Sequence, residues 1–260
     1  MINAIEQAVG ALRKERPLIL NLTNLVTMDL VANCLLAVGA KPIMSQCPQE
    51  LEELIMASSA VYINIGTLDT AFINLSQKAV DLAQHHHKPI IFDPVGAGAT
   101  AIRRQTSKNI APMATIIKGN ASEILALFQS SYITKGVEAT CGVNDAKTAA
   151  GYLTAAYQTT VVISGPVDFI TDSVRSAHVA YGTSLMQFVT GMGCSLGAMI
   201  AAFHSVIEDP YKASIIGTHY FNFCGQLSAM DNQNPGSFKS RLIDQLYQAD
   251  FETMRAYYDQ

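Results

Sequence analysis

A short run of small residues near position 190 has the composition of an anion-binding helix start. Gly191 and Gly193 flank Met192 and precede Cys194, and an apolar, small-residue segment follows through Phe203. A helix N-terminus leaves N–H groups unpaired and carries a partial positive charge, and glycine lets a phosphate approach that backbone closely. The run therefore predicts an anion pocket with Cys194 in the first helical turn, where the helix lowers its pKa. A tight turn into a buried helix would give the same pattern.

The thiol of Cys194 is the side chain of this run that could react. It could be a nucleophile, a weak base or a spectator in the helix cap, and the sequence assigns it no histidine or aspartate partner. In phosphoryl transfer to an alcohol, a protein mainly positions groups and neutralises charge. A thiolate that accepts the proton of the alcohol would suffice for that chemistry.

Two acidic residues could hold a metal ion. Glu123 follows Asn120 by three residues at a predicted helix start, and Asp93 ends a predicted strand before Pro94. A carboxylate in such a place can hold a hydrated Mg²⁺ that bridges nucleotide phosphates. The same spacing is typical of a capping box, with Asn120 as N-cap and Glu123 at N3, and Asp93 could simply close its turn. Taken alone, the Asn120–Glu123 spacing favours the cap.

Two further motifs carry less weight. Residues 96–101 match the dinucleotide fingerprint, but they follow the fourth predicted strand, and no acid ends the next strand to hold a ribose. The three histidines at 85–87 point in different directions on a helix, so they cannot easily share one ion. They indicate a solvated helix end, and Tyr257-Tyr258 indicates packing or an interface.

The bulk composition limits the class of protein. The chain has 260 residues, 49% of them hydrophobic and 15% charged, which fits one large α/β domain or two small ones. A net charge of −4 gives no electrostatic footprint for nucleic acid. The sequence shows no signal peptide and no apolar run long enough to span a membrane. Five cysteines without a CxxC spacing predict a reducing, cytoplasmic location.

Short apolar runs alternate with helical patterns along the chain and must position these residues. The predicted strands are 18–20, 41–45, 61–65, 89–92, 115–117 and 160–163. The predicted helices are 2–16, 28–38, 50–60, 74–87, 213–227 and 240–254, and segments 169–171 and 177–181 predict a late hairpin. This alternation predicts an α/β fold with a mostly parallel central sheet and helices on both faces. No linker or composition break divides the chain, so we expect a single domain over residues 1–260.

A short segment with polar residues follows most of the predicted strands. These segments are Thr23-Asn24, Met44 with Ser45, Gly66-Thr67, Asp93, Lys118 to Asn120, and Ser164-Gly165. Ligands of parallel α/β sheets bind outside the carboxyl ends of the strands. The sequence therefore predicts that these residues form one rim, which the glycines at 191 and 193 join.

Eight segments in order carry a resemblance over almost the whole chain. They are residues 22–28, Ala32-Asn33, 39–44, 64–68, 93–97, 118–124, 189–194 and 235–238. Any one of them is weakly specific, but the eight in sequence resemble the hydroxyethylthiazole kinase family, thiamine-salvage enzymes of the ribokinase-like superfamily. The resemblance implies that ATP, with Mg²⁺, phosphorylates the primary alcohol of 4-methyl-5-(2-hydroxyethyl)thiazole. It also implies a homotrimer with active sites near the subunit interfaces.

The resemblance implies a role for each matching position. Met44 and Gly191 would line the thiazole site, with Asn24, Val26 and Gly66 nearby. Lys118, Asn120 and Ser164 would contact ATP, and Asp93 and Glu123 would serve magnesium. Gly191, Met192, Gly193 and Cys194 would form the anion hole, with Cys194 where ribokinase relatives carry an aspartate base. For Glu123 the resemblance favours the metal role over the cap.

Some positions depart from the family pattern. Lys118 stands where the family often has arginine. Lysine keeps the positive charge but lacks the bidentate hydrogen-bonding fork of the guanidinium group. Ser164 and Met192 stand where threonine is usual. A kinase for another small alcohol, such as hydroxymethylpyrimidine or a sugar, remains an alternative, although Met44 and the missing catalytic aspartate argue against a sugar. A noncatalytic nucleotide-binding protein on the same fold is a second alternative, because fold does not fix function.

Overall fold

One eight-stranded sheet runs through the computed structural model, which describes residues 1–128, 143–230 and 234–258. Its strands are β1 (Leu18–Leu22), β2 (Lys41–Met44), β3 (Ala60–Asn64), β4 (Ile90–Asp93), β5 (Ile116–Asn120), β6 (Thr160–Ser164), β7 (Asp168–Thr171) and β8 (Ser176–Val179).

Helices connect and cover these strands. They are α1 (Ile2–Glu15), α2 (Met28–Val38), α3 (Leu51–Ala57), α4 (Thr70–His85), α5 (Ala101–Ile110), α6 (Ala121–Phe128), α7 (Val143–Tyr157), α8 (Met192–His204), α9 (Pro210–Ala229), α10 (Pro235–Gln248) and α11 (Phe251–Tyr258). Two short 3₁₀ turns at 111–113 and 184–188 complete the described elements. None of the helices in the described ranges has both the length and the apolar composition needed to cross a bilayer.

The strand order is β2-β1-β3-β4-β5-β6-β7-β8. All neighbouring pairs from β2 to β6 are parallel, and β7 is antiparallel to both of its neighbours, β6 and β8. The predicted α/β fold with a mostly parallel sheet is therefore confirmed. The predicted late hairpin is confirmed as β7 and β8, which pair from Asp168 opposite Val179 to Thr171 opposite Ser176.

Alternate residues of each parallel strand enter two different hydrophobic clusters. Ile19 and Tyr62 face a cluster with α1, α2, α8 and α9, whereas Leu20, Val61 and Ile63 face a cluster with α4, α6 and α7. Because helices cover both faces, the inner strands β1 and β3 to β6 are buried on both sides, whereas the edge strands β2 and β8 are partly exposed. This is why the inner strands read as largely apolar runs in the sequence.

The predicted ends of strands and helices differ from the structure where the sequence has no residue that marks the end clearly. Asn21 and Leu22 continue β1, although the sequence indicates a loop there, because both form parallel pairs with β3. Predicted helix 50–60 is shorter, since Ala60 already begins β3. Helices α5 and α7 have no counterpart in the sequence prediction.

The predicted helix 213–227 is confirmed as part of α9, which has 20 residues and begins earlier, at Pro210. Many polar side chains of α9 are buried. The predicted helix 240–254 is two helices, because Ala249 has a left-handed φ of 54° and ends α10.

The contact between α8 and β3 depends on a glycine. A β-carbon added at Gly197 would lie 2.7 Å from Cε2 of Tyr62, which is fully buried. We expect Gly197→Ala to lower the free energy of unfolding by about 1–3 kcal/mol, because the buried ring cannot yield. Urea denaturation measures this. Gly10→Ala in α1 is the matched control, since nothing lies within 4 Å of its added β-carbon, and it should stabilise by about 0.5–1 kcal/mol. Equal effects at both positions would contradict this account.

Candidate active site

The carboxyl ends of the parallel strands and the start of α8 meet at the same end of the sheet. The predicted rim residues on β4 to β6 are Asp93, Lys118, Asn120 and Ser164, and the predicted Gly66 comes just after β3. Asn24 follows β1, and Met44 ends β2 at the outer edge of the sheet. The structure therefore brings the sequence-predicted residues to one side, in accord with the general rule for parallel sheets.

Helix α8 begins as predicted at the glycines. Gly191 is the N-cap with a φ of 97°, and its carbonyl accepts the Ser195 N–H at 2.8 Å. A β-carbon there would also lie 2.9 Å from Cγ2 of Thr27, so both its backbone angle and its surroundings require glycine. Met192, Gly193 and Cys194 form the first turn, where helical N–H groups lack intrahelical partners.

Lys118 extends from β5 to this helix start. Its Nζ would lie 2.9 Å from a β-carbon added at Gly193, and it lies 3.5 Å from Asp93 Oδ2. Burial disfavours the charged ammonium, but the nearby carboxylates of Asp93 and Glu123 outweigh burial and raise the pKa of Lys118. The ammonium therefore stays charged and reinforces the positive end of α8.

Asp93 is fully buried and has two unlike oxygens. Its Oδ2 accepts hydrogen bonds from the Tyr62 hydroxyl and from Asn64 Nδ2, each at 3.0 Å. Its Oδ1 is buried without a hydrogen-bond partner among the described residues. Burial raises the pKa of Asp93, and the charge of Lys118 opposes that shift. The carboxylate thus has one oxygen fixed by the protein and one available to a ligand.

Asn24 connects the first strand to the thiol. Its Nδ2 donates to Cys194 Sγ at 3.3 Å and to Asn64 Oδ1 at 2.9 Å. Its Oδ1 accepts from the backbone N–H and the hydroxyl of Thr27, at 3.0 and 2.9 Å. Gly66 lies against this amide, because an added β-carbon there would be 2.9 Å from Asn24 Nδ2. The amide therefore has a fixed orientation.

The pKa of Cys194 is raised, so the predicted lowering by the helix start is wrong. Burial raises the pKa of the thiol first, and the charge of Asp93 raises it further. The charge of Lys118 and the hydrogen bonds with Thr27 and Asn24 lower the pKa of Cys194, but their combined effect is smaller. The sequence showed the helix start but not the carboxylate that folds beside it.

Glu123 forms the capping box that its spacing favours. Its Oε2 accepts the Asn120 N–H at 2.8 Å, and Asn120 Oδ1 accepts the Glu123 N–H at 3.0 Å. Its Oε1 accepts the Gly96 N–H at 2.9 Å. Burial and the charge of Asp93 raise the pKa of Glu123 to about 7. The carboxylate is thus held between two loops of the rim and titrates near neutral pH.

The segment that matches the dinucleotide fingerprint has a different structural use. Gly96 has a φ of 69° in the turn after β4 and donates to Glu123. Arg103 on α5 reaches back and donates to the carbonyls of Val95, Ile65 and Gly66, at 2.8, 2.7 and 2.9 Å. These bonds join the loops that follow β3 and β4.

The outer part of the rim is more open. Val26 is 71% exposed, and Leu25 and Phe188 are also exposed. Met44 is half-buried, and both Met44 and Cys194 pack against the hydrophobic cluster that lies under α8.

The histidines at 85–87 end α4 as predicted. His86 lies 3.0 Å from Glu52, and His87 has a φ of 52°, which stops the helix. Within the described ranges, no group of three or more histidine, cysteine or acidic side chains could hold a metal ion by itself. Cys141 lies outside the described residues.

Sequence reasoning missed two side chains of this site. Tyr62 and Asn64 alternate with Val61 and Ile63 in a strand that reads as uniformly buried. An asparagine near the end of a buried strand was the available signal, because a buried amide needs partners. A third missed group is Asp168 on β7, whose carboxylate accepts the Gly165 N–H at 2.9 Å just after Ser164.

The chain has the fold of the ribokinase-like class of proteins. A ribokinase-like superfamily protein from Enterococcus faecalis V583 superposes with a TM-score of 0.62 at 12% identity, over 89% of this chain and 86% of that chain. This likeness shows the fold alone.

The sequence places the chain more narrowly. The model of the hydroxyethylthiazole kinase family matches residues 9–252. A hydroxyethylthiazole kinase from Chlamydia caviae is 50% identical over 262 aligned positions, which cover 100% of both chains. A hydroxyethylthiazole kinase protein from Pyrococcus horikoshii OT3 superposes with a TM-score of 0.87 at 38% identity, over 95% of this chain and 93% of that chain. The chain therefore belongs to the hydroxyethylthiazole kinase family, whose members phosphorylate a thiazole alcohol.

Proposed function

We propose that this kinase transfers the γ-phosphoryl group of ATP to the hydroxyl of 4-methyl-5-(2-hydroxyethyl)thiazole at the start of α8. The observation that carries the proposal is the convergence of the α8 N-terminus, the Lys118 ammonium and the Cys194 thiol. Positive charge on one side and a proton acceptor on the other are what transfer to an alcohol needs.

The nucleotide would lie over β5 and β6. Lys118, Asn120 and Ser164 end these neighbouring strands, and Asn120 pairs with Ser164 in the parallel register. The Lys118 ammonium would neutralise charge on the phosphates together with the N–H groups of Gly191 to Cys194. Asp168 would hold the Gly165 turn, since it bonds both Gly165 and Asn222 on α9.

Magnesium fits the acidic side of the rim. Mg²⁺ prefers one or two carboxylates and keeps several waters. The unpartnered Oδ1 of Asp93 and the carboxylate of Glu123 supply such groups, although both Glu123 oxygens also accept backbone N–H bonds. The bound ion would neutralise charge on the nucleotide phosphates.

The alcohol would bind on the opposite side, against the thiol. Met44 and Gly191 would line this part of the site, with Asn24, Val26 and Gly66 beside it. The hydroxyl oxygen would attack the γ-phosphorus as the bond to the ADP oxygen breaks, and Cys194 would take the alcohol proton. The proton acceptor would be the thiolate form of Cys194, which is a small fraction at neutral pH because burial and the charge of Asp93 raise the pKa of this thiol.

The proposed oligomeric state, cellular location and domain organisation agree with the same resemblance. The exposed apolar side chains Leu25, Val26 and Phe188 near the site support a homotrimer with active sites at subunit interfaces. The described cysteines 34, 47, 194 and 224 carry free thiols, which supports a cytoplasmic location. One sheet joins the described elements, which supports a single kinase domain.

ADP formation tests the substrate assignment. We expect the purified enzyme to produce ADP from ATP and Mg²⁺ only when the thiazole alcohol is present. Hydroxymethylpyrimidine and a sugar serve as competing alcohols under the same conditions. ADP with either of those alone would contradict the substrate, and no ADP with any alcohol would favour a noncatalytic nucleotide-binding protein.

A carboxylate should replace the thiol without loss. We expect Cys194→Asp to retain turnover or to raise it up to about tenfold, because aspartate is ionised at neutral pH and is the better proton acceptor. Cys194→Ser, which keeps the size but is a weaker base, should lower kcat about tenfold or more. Steady-state kinetics measures both variants. Loss of activity in the aspartate variant with an unchanged melting temperature would instead show that the thiol is essential.

Glu123 should set the magnesium requirement. We expect Glu123→Gln to raise the Mg²⁺ concentration for half-maximal rate about tenfold or more. In the unchanged enzyme this requirement should rise as the pH falls through about 7, where the carboxylate takes up a proton, and the variant should lose that dependence. Asp69→Asn is the control, because Asp69 also caps a helix, α4, but on the exposed surface. Equal Mg²⁺ titrations for the Glu123 variant and the parent would refute the metal role.

A further inference from the structure

The side-chain amide of Asn64 uses all of its hydrogen-bonding capacity inside the active site. Its Nδ2 donates to Asp93 Oδ2 at 3.0 Å and to the Tyr62 hydroxyl oxygen at 2.9 Å. Its Oδ1 accepts from Asn24 Nδ2 and from the Gly66 N–H, both at 2.9 Å. An amide has two donor hydrogens and two acceptor sites, so none is left over. The side chain is fully buried and its orientation is therefore determined.

The donor end of this amide fixes the carboxylate of Asp93. Two donors, from Asn64 and Tyr62, converge on Oδ2. They hold the plane of the carboxylate, and they leave Oδ1 without a partner. Hydrogen bonds to an ionised carboxylate favour its charged form. The Asn64 amide thus sets which oxygen of Asp93 faces the nucleotide side.

The acceptor end of the same amide fixes Asn24. Because Asn64 Oδ1 is an acceptor, Asn24 must present its NH₂ group on that side. That NH₂ group also donates to Cys194 Sγ at 3.3 Å. The Thr27 bonds to Asn24 Oδ1 confirm the same orientation from the other side. The sulfur therefore receives a hydrogen bond whose direction depends on Asn64.

We propose that Asn64 is a positioning residue that holds Asp93 and, through Asn24, Cys194 in one fixed arrangement for phosphoryl transfer. This inference rests on the proposed roles of Asp93 and Cys194. Asn64 touches neither substrate nor the reacting atoms in this proposal, and it acts through the two side chains that do. Tyr62 helps Asn64 to hold Asp93, because its hydroxyl is the second donor to that carboxylate.

The matched variant is Asn64→Asp. It keeps the shape and the acceptor for Asn24 and Gly66, but it replaces the donor to Asp93 with an oxygen about 3 Å away. Two carboxylates at that distance repel each other, so the variant loses the bond that fixes Asp93 while it keeps the acceptor that fixes Asn24.

The expected result is a loss of kcat with little change in KM. Asn64→Asp, which loses the bond to Asp93 alone, should have a kcat about tenfold below that of the parent. Asn64→Leu, which cannot hold either neighbour, should lose about 10²-fold in kcat, with a much smaller change in KM for either substrate.

Two controls separate positioning from folding and from added charge. Asn33→Asp places a carboxylate 3.0 Å from Asp29 on the exposed side of α2, so it repeats the substitution outside the site and should leave kcat unchanged. Tyr62→Phe removes one donor to Asp93 but keeps Asn64, so it should lower kcat less than Asn64→Asp does. The melting temperatures of all four variants show which of them remain folded.

An Asn64→Asp variant with the kcat of the parent would overturn the inference. So would an Asn64→Leu variant that folds and differs from the parent only in KM. These outcomes presuppose an active parent enzyme. An inactive parent would instead count against the proposed function, and the two failures are therefore distinguishable.

Discussion

The buried pair of Lys118 and Asp93 is the interaction on which the rest of the site depends. Both side chains are out of water, where a lone charge is strongly disfavoured and a paired one needs further hydrogen bonds. The protein supplies these from Tyr62 and Asn64 on the neighbouring strand. The pair also requires Gly193, because any side chain there would displace the ammonium. The parallel register of β3, β4 and β5 is thus as much a part of the site as the charges themselves.

The site divides into a charged half and an apolar half around that pair. Lys118, Asp93 and Glu123 lie on adjoining elements and shift one another's pKa values, so protonation of one is coupled to the others. On the other side, Cys194 and Met44 pack against a hydrophobic cluster, and Leu25 and Val26 expose apolar surface in the loop after β1. Charged and apolar surroundings therefore occur together at the end of one parallel sheet.

Sequence reasoning succeeded where local signals decide the structure. Helix α2 has the predicted bounds because Gly39 takes the left-handed conformation that ends it, with a φ of 112°. The strand alternation predicted the parallel sheet and hence the rim. It failed where distant contacts decide. The pKa of Cys194 depends on Asp93, which is remote in sequence, and the break at Ala249 has no glycine or proline to announce it. The use of Asn64 appears only when β3 pairs with β4.

Arg103 shows how the scaffold tolerates change. Its guanidinium binds three main-chain carbonyls, at Ile65, Gly66 and Val95, and in these bonds it contacts no side chain of those loops. A contact made to carbonyls is indifferent to the identity of the residue that carries them. The bonds from Arg103 therefore hold the turns after β3 and β4 in place without fixing which side chains those turns carry. Gly66 and Gly96 are constrained separately, by contact with Asn24 and by a left-handed φ.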